Sequence, residues 1–105
     1  MSYEFPLIVR LMLKSLDSEE NQHILLYLLK EGKKSFYEIM NQFKYRQTEL
    51  EIYLTELLHY GMVYTSYSEN ELNNQYLYLE ISKIGKKFTD MLLNCVKIIN
   101  KKEEE

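Results

Sequence analysis

The sequence has few of the residues that form covalent cross-links or catalytic loops. It contains one cysteine, Cys95, one proline, three glycines and no tryptophan. A single cysteine excludes an intrachain disulfide and a multi-cysteine metal site, and it fits a reducing intracellular compartment. The sequence also has no glycine-rich phosphate loop, no serine nucleophile motif and no carboxylate pair of defined spacing. We therefore expect a protein that is not an enzyme and that holds no cofactor.

Long hydrophobic runs are also absent. The apolar run from Phe5 to Leu16 is interrupted by Arg10 and Lys14, and it is too short to span a bilayer. Because no small-residue cleavage pattern accompanies it, we expect no signal peptide. These features predict a cytoplasmic protein that does not bind membranes.

The sequence lacks the surplus of positive charge that DNA-binding domains usually carry. It has 13 basic and 16 acidic side chains, and three of the acidic ones are Glu103, Glu104 and Glu105. The rest of the chain is therefore neutral. The total charge argues mildly against a nucleic-acid partner. Whether the chain can bind DNA therefore depends on where its basic residues lie.

Length and composition indicate a single domain over residues 1–105. Apolar residues make up 46% of the chain and charged residues 28%, which is an ordinary globular balance. A chain of 105 residues buries only a modest core, so a second copy can supply a good part of its buried surface. We therefore expect a homodimer.

The stretch from Ser35 to Gly61 has the pattern of two helices joined by a tight turn. Ser35 and Glu38 have the spacing of a capping box, in which each side chain satisfies a free backbone donor at a helix start. Apolar residues then recur at helical spacing on both sides of residues 44–46. They are Phe36, Ile39, Met40 and Phe43 before the turn, and Leu50, Leu54, Leu57 and Leu58 after it. With its end at Gly61, this pattern predicts a helix-turn-helix.

Two more helices are predicted before this motif. The first covers residues 5–16, where Pro6 suits an early helical position and one face is broadly apolar. The second follows the start signals Asp17 and Ser18 and ends at Gly32. Its core stripe consists of Ile24, Leu25, Leu28 and Leu29.

Beyond Gly61 the hydrophobic period changes from helical to alternating. Residues 62–68 and 75–81 are rich in Tyr, Val, Thr and Leu, which predicts a β-hairpin. Leu77, Leu79 and Ile81 then face the helices, because side chains alternate between the two faces of a strand. The outward positions of the two strands are Tyr64, Tyr67, Tyr76, Tyr78 and Glu80.

A last helix is predicted from Ser82, which caps its start. Its apolar residues have a heptad-like spacing, and further apolar residues widen the stripe. The heptad positions are Ile84, Phe88, Met91, Cys95 and Ile98, and the stripe is widened by Leu92, Val96 and Ile99. Such a wide stripe predicts that the helix packs against its own domain and against a partner.

The two histidines, His23 and His59, are assigned to different helices, and Cys95 to a third. No local spacing joins them into a metal site, so we expect no metal. Cys95 is expected to be a small core residue.

The order of the elements and three sequence runs resemble the winged-helix transcription regulators of the ArsR, MarR and PadR type. The run ILLYLLKEGKKSFYEI is similar to the entry into the helix-turn-helix of those families. The run LTELLHYGMV is similar to the end of their recognition helix and the first wing strand. The run YLEISKIGKKF is similar to their second wing strand and the start of the final helix. The resemblance covers residues 22–92.

The resemblance implies a mainly α fold with a small β-hairpin, a winged helix-turn-helix with extra N- and C-terminal dimerisation helices. In this chain those parts are an N-terminal helix at 1–16, a winged-helix core at 17–81, a C-terminal dimerisation helix at 82–102 and an acidic tail at 103–105.

The resemblance also implies a sequence-specific regulator that binds double-stranded DNA as a homodimer on a palindromic operator, with the second motif helix in the major groove. The candidate base contacts are Arg46, Gln47, Thr48 and Ile52. The candidate phosphate contacts, which bracket the motif, are Lys33, Lys34, Ser35, Lys44, Lys83, Lys86 and Lys87. The candidate dimer contacts are Leu7, Leu11, Phe88, Met91, Leu92, Cys95, Ile98 and Ile99.

Acidic residues around these positions keep a second function open. The outermost positions of the second motif helix are predicted to be Thr48, Ile52, Thr55 and His59, and they are flanked by Glu49, Glu51 and Glu56. The wing tip at 68–74 carries Glu69 and Glu71 and has no Lys or Arg. Carboxylates near phosphates weaken binding unless they accept hydrogen bonds from cytosine amino groups. The alternative is a winged-helix module that binds a protein partner and no specific DNA.

Overall fold

The structure is a computed structural model that describes residues 5–69 and 75–104, without the side chains of residues 69, 75, 76, 103 and 104. These ranges contain five helices and three strands. The helices are α1 Leu7–Ser15, α2 Glu19–Glu31, α3 Phe36–Phe43, α4 Gln47–His59 and α5 Lys83–Glu104, and the strands are β1 Lys34–Ser35, β2 Val63–Glu69 and β3 Gln75–Ile81. The predicted class, mainly α with a small β element, is confirmed.

The strands form one antiparallel sheet in the order β1-β3-β2. Strands β2 and β3 form the predicted hairpin, with Val63 opposite Ile81 and Thr65 opposite Leu79. Strand β1 was not predicted, and it pairs Lys34 with Leu79 on the other edge of β3. Two residues are too short for an alternating pattern, so only the pairing with β3 defines this strand.

Serine residues begin three of the helices, as predicted. The Ser18 hydroxyl accepts a hydrogen bond from the Asn21 N–H (3.3 Å) at the start of α2. At the start of α3, the Ser35 hydroxyl accepts from the Glu38 N–H (3.1 Å), and the Glu38 carboxylate accepts from the Ser35 N–H (3.2 Å). At the start of α5, the Ser82 hydroxyl accepts from the Gly85 N–H (2.9 Å). Each bond satisfies a backbone donor that the helix itself leaves free.

The turn between α3 and α4 is closed by a left-handed residue. Lys44 has φ 58° and ψ 37°, a conformation that few residues other than glycine adopt. The Tyr45 N–H then donates to the Met40 carbonyl (3.1 Å), which satisfies one of the last carbonyls of α3. The predicted turn at residues 44–46 is therefore confirmed, and Lys44 is exposed on it.

One hydrophobic core joins α1, α2, α3, α4, the hairpin and α5. Its buried apolar side chains are Met12, Ile24, Leu25, Leu28, Ile39, Leu50, Leu54, Leu57, Met62, Val63, Leu79 and Phe88. The predicted stripes of α2 and α4 supply six of them. Leu58, which was predicted for the α4 stripe, is 40% exposed and lies outside this core.

A buried asparagine links three helices beneath this core. Asn21 is fully buried, and its Nδ2 donates to the Ser15 carbonyl (2.8 Å) and to Glu56 Oε2 (2.8 Å). These bonds tie the end of α1 and the middle of α4 to the first turn of α2. The Glu56 carboxylate is thereby held against α2.

The hairpin and α5 meet at a close backbone approach. The Ser82 N–H donates to the Met62 carbonyl (2.9 Å), and the Ser82 hydroxyl donates to the Gly61 carbonyl (2.6 Å). A Cβ atom on Gly85 would lie 2.3 Å from the Met62 carbonyl oxygen and 2.9 Å from Ser82 Oγ. Only glycine fits at this position without a backbone shift.

Replacing Gly85 with alanine is expected to destabilise the fold despite the higher helix propensity of alanine. The added methyl group forces the Met62 carbonyl away, and overpacking of this kind costs about 1–3 kcal/mol. Urea unfolding followed by circular dichroism measures the change. Asn94→Ala, at an exposed position of the same helix, is the control and should change the free energy of unfolding little. Equal stability of both variants would contradict the close approach at Gly85.

The capping box of α3 predicts a pH dependence of stability. Its backbone hydrogen bond from Ser35 lowers the pKa of Glu38 below the usual value, because that bond favours the ionised carboxylate. A lowered pKa stabilises the fold above the ordinary glutamate pKa of about 4.3, and this contribution is lost as the pH falls through the folded-state pKa.

The variant Glu38→Gln should therefore be less stable than the natural chain at neutral pH, by about 0.3–1.5 kcal/mol for a lost capping interaction. The difference should shrink as the pH falls below about 4.3. Urea unfolding of both proteins from pH 7 to pH 3 gives the two curves. Curves that stay parallel over that range would show that the carboxylate does not act in its ionised form.

Candidate nucleic-acid interface

The first half of α4 forms an exposed surface at the end of the turn. Arg46 precedes the helix, and its side chain is 87% exposed. The Glu49 carboxylate accepts from the Arg46 N–H (3.2 Å) and lies 3.8 Å from the Arg46 Nε. Glu49 thus caps the N-terminus of α4, and the Arg46 side chain extends into solvent.

The rotation of α4 about its axis is set by its leucines. Leu50, Leu54 and Leu57 are buried, so the opposite side of the helix faces outward. The predicted outermost positions are confirmed, because the structure leaves all four exposed. They are Thr48, Ile52, Thr55 and His59, and Ile52 is 61% exposed.

Thr48, Glu51, Ile52, Thr55 and Glu56 line a shallow depression on this face. The Thr55 hydroxyl donates to the Glu51 carbonyl (2.6 Å), and the Gln47 Nε2 donates to Glu51 Oε1 (3.2 Å). The Thr55 hydroxyl and one Gln47 amide proton are therefore used inside the helix, while carboxylate oxygens and the apolar carbons of Ile52 are exposed. Three of the candidate base contacts, Gln47, Thr48 and Ile52, lie on this surface.

A second depression joins α4 to the wing. It is lined by Phe36, Tyr37, Gln47, Glu51, Tyr67 and Leu77, so the wing strands border the same helix face. Tyr67 is 70% exposed. The sequence pattern predicted outward tyrosines on the hairpin, but it carried no information that one of them lies beside α4.

The predicted phosphate contacts lie in three places around the motif. The Lys33 Nζ lies 5.1 Å from the Tyr78 ring centroid. The Lys34 Nζ lies 3.5 Å from Glu38 Oε2 and 5.9 Å from the Tyr27 ring centroid. Lys44 is exposed on the turn, and Lys83, Lys86 and Lys87 are exposed on the first turns of α5. Ser35 is only 6% exposed, and its hydroxyl already accepts from Glu38, so capping is its primary role.

The predicted acidic wing tip lies largely outside the described residues. Residues 70–74 are outside the described ranges, as is the side chain of Glu69. The assignment of Glu69 and Glu71 to the wing tip therefore stays a prediction.

An aromatic cluster anchors the turn that carries Lys44 and Arg46. The Phe43 ring centroid lies 5.4 Å from that of Tyr27 on α2 and 5.4 Å from that of Tyr45. The Tyr45 ring centroid in turn lies 5.2 Å from that of Tyr53 on α4. Burial, together with the charges of nearby carboxylates, raises the pKa of Tyr45 above its usual value. The turn is therefore held by packing against both neighbouring helices.

The predicted dimer surface is largely exposed in the single chain. Leu7, Met91, Ile98 and Ile99 are 55–61% exposed, and Leu11 and Leu92 are half-buried. Phe88 differs, because it is 8% exposed and belongs to the core of its own chain. Cys95 is exposed, so its predicted place in the core is wrong. Cys95 lies two turns beyond Phe88 on nearly the same side of α5, where residues 94–102 are all exposed, so the core ends before it.

Near this surface, α2 and α5 border an apolar groove that is open to solvent and has a volume of about 350 Å³. It is lined by Leu16, Gln22, Leu25, Leu26, Thr89, Leu92, Leu93, Cys95 and Val96. Exposed apolar surface of this extent is typical of an interaction site.

The histidines do not come together with Cys95. His23 lies on α2 and stacks on Phe43 with ring centroids 6.1 Å apart, while His59 is at the end of α4 beside Tyr60. Within residues 5–69 and 75–104, no group of three or more His, Cys, Asp or Glu side chains has the arrangement of a metal site. No helix in the same ranges is both long enough and apolar enough to cross a bilayer.

Solved structures place the fold among known regulators, although the sequence matches no family model and no curated protein. A transcriptional regulator homologue from Pyrococcus horikoshii is 18% identical, with a TM-score of 0.76 over 93% of this chain and 98% of its own. A MarR-family transcriptional regulator from Enterococcus faecalis is 20% identical, with a TM-score of 0.76 over 100% of this chain and 97% of its own.

A homodimeric winged helix-turn-helix DNA-binding domain from Mycobacterium bovis is also similar. It is 18% identical, with a TM-score of 0.65 over 100% of this chain and 94% of its own. Two of these neighbours are described as transcriptional regulators, one of them of the MarR family, and the third as the DNA-binding domain of a possible ArsR-family regulator. The chain therefore has the winged helix-turn-helix fold that these regulators share.

Proposed function

We propose that this protein is a sequence-specific regulator of transcription that binds double-stranded DNA as a homodimer. In this proposal the exposed face of α4 enters the major groove and a palindromic operator supplies one half-site to each subunit. The fold supports this function, since the similar solved structures are transcriptional regulators.

The observation that carries the proposal is the free surface at the start of α4. Arg46 is 87% exposed, and Gln47, Thr48 and Ile52 follow it on the exposed side. Residues near the start of a recognition helix are the ones that contact base edges. An arginine at this point can donate two hydrogen bonds to guanine O6 and N7.

The lysines provide the electrostatic part of the interaction. Lys33, Lys44, Lys83, Lys86 and Lys87 are exposed. Contacts from such side chains to phosphates fix the position of the protein on the duplex without sequence preference. Affinity should then fall steeply with salt, because each neutralised phosphate releases condensed counterions.

The exposed apolar residues of α1 and α5 provide the second subunit's contact. Leu7, Met91, Ile98 and Ile99 would be buried in a symmetric interface, and apolar burial is the main driving force for such association. The similar M. bovis domain is a homodimer. Two copies related by a two-fold axis match two half-sites about ten base pairs apart.

A second candidate function is the binding of a protein partner through the same face of α4. It is supported by Ile52, which is 61% exposed, and by the neighbouring carboxylates of Glu49 and Glu51. An apolar centre with an acidic rim suits a basic partner surface. Selection of fragments from a random duplex library separates the two functions, because a protein-binding module would enrich no sequence.

The variant Arg46→Ala should weaken binding to the selected duplex by about 1–3 kcal/mol, because a guanine contact is lost. Fluorescence anisotropy across a salt series measures the loss. The fold should be unaffected, since the exposed ion pair with Glu49 contributes little to stability. Arg10→Ala removes the same charge from α1 and is the matched control. If both variants bind equally well, Arg46 does not contact bases.

Introducing charge into the exposed stripe of α5 should separate the subunits. Ile98→Glu combined with Ile99→Glu places two carboxylates where the partner would pack, and burying unpaired charge is strongly unfavourable. Sedimentation velocity should show the natural chain as a dimer and this variant as a monomer that binds the operator more weakly. Lys97→Glu, on the polar side of the same turn, should remain a dimer. A natural chain that sediments as a monomer would contradict the interface.

A further inference from the structure

We infer that Glu51 is a specificity-determining residue and that, with Ile52, it selects a cytosine next to a thymine in each half-site. This inference rests on the proposed function, since it assigns base preferences to the DNA-binding face of α4. It follows from the chemistry that this face exposes.

The three glutamate side chains of α4 differ in their hydrogen-bond partners. Glu49 accepts from the Arg46 backbone at the start of the helix. Glu56 lines the same depression as Glu51, but its Oε2 accepts from the buried Asn21 amide, which fixes the carboxylate toward α2. Among the described residues, the Glu51 carboxylate has Gln47 as its hydrogen-bond partner, through Oε1 alone. In the described part of the chain Glu51 Oε2 accepts no hydrogen bond, so it is available to a ligand on the outer face.

The groups around Glu51 reinforce its acceptor character. Gln47 uses an amide proton on Glu51 Oε1, and Thr55 donates its hydroxyl proton to the Glu51 carbonyl. Their remaining oxygen lone pairs are acceptors. These oxygens and Glu51 Oε2 fit the donor groups of the major groove, which are the amino groups at cytosine N4 and adenine N6. Guanine offers only acceptors there and is rejected by a carboxylate.

Between cytosine and adenine, the carboxylate favours cytosine. Adenine presents its N7 acceptor beside the N6 amino group, and that pair suits an amide that donates and accepts. A carboxylate has no proton to give to N7 and is repelled by it. Cytosine presents the N4 amino group without that neighbouring acceptor on the same base.

Ile52 adds an apolar contact one residue further along. Its side chain is 61% exposed and lines the shallow depression with Thr48 and Thr55. The only methyl group in the major groove is that of thymine. Glu51 lines the same depression, and we therefore place the cytosine and the thymine next to each other in the half-site.

The first test compares duplex selections for the natural chain, Glu51→Gln and Glu56→Gln. The natural chain should enrich cytosine at one position of each half-site, by roughly fivefold to 150-fold over other bases. Glu51→Gln should lose this preference and shift toward adenine, because glutamine pairs with adenine N6 and N7. Glu56→Gln should keep cytosine, since Glu56 is held by Asn21.

The second test removes one methyl group from the DNA. Replacing the neighbouring thymine by deoxyuridine should weaken binding of the natural chain about fourfold, the value expected for one buried methyl group. The variant Ile52→Ala should bind both duplexes equally. Thermal unfolding of each variant confirms that the exposed substitutions leave the fold intact.

The outcomes distinguish this inference from the proposed function. If the natural chain enriches a sequence but Glu51→Gln keeps the same cytosine preference, Glu51 does not select the base, and the DNA-binding function stands. If the natural chain enriches no sequence, both the proposed function and the assignment of Glu51 are overturned.

Discussion

Burial of the Leu50, Leu54 and Leu57 stripe is the constraint on which the candidate interface depends. These side chains are 0–4% exposed, and their burial fixes the rotation of α4, so Thr48, Glu51 and Ile52 must face outward. The aromatic contacts of Phe43, Tyr45 and Tyr53 and the Asn21 bridge to Glu56 hold the same helix at its start and middle. The outer face is thus presented by a rigid element, which precise recognition requires.

The charges fit a protein whose affinity for DNA comes from placement and not from total charge. The chain has a formal net charge of −3, so no long-range attraction to a polyanion is expected from the whole molecule. Among its exposed lysines, Lys33 and Lys44 flank α3, and Lys83, Lys86 and Lys87 lie at the start of α5. In the proposed function, the carboxylates of α4 would oppose non-specific binding to phosphates and accept hydrogen bonds from a matching base, which favours specificity over raw affinity.

Much of this fold could be predicted from the sequence because its local signals agree. Serine caps, helical apolar periods and strand alternation gave the five helices and the hairpin. Strand β1 was not predicted, because two residues are too few to show an alternating pattern. The burial of Asn21 was not predicted either, because a polar residue in a helix is expected to face solvent until its hydrogen-bond partners are known. Cys95 was expected in the core and is exposed, because the heptad spacing places it on the side of Phe88 but does not reveal where along α5 the core ends. The site residues of α4 were exposed as predicted, whereas the anchoring of Glu56 required the structure.

The central claim is that the outer face of α4 contacts DNA, and amide chemical-shift mapping tests it most directly. A duplex selected from a random library is added to the isotope-labelled protein, and the backbone amide signals are followed. The account predicts the largest shifts at residues 44–52 and at Lys83, Lys86 and Lys87, with the shifts reduced by salt. Shifts confined to α1 and the end of α5, or none with any duplex, would contradict it.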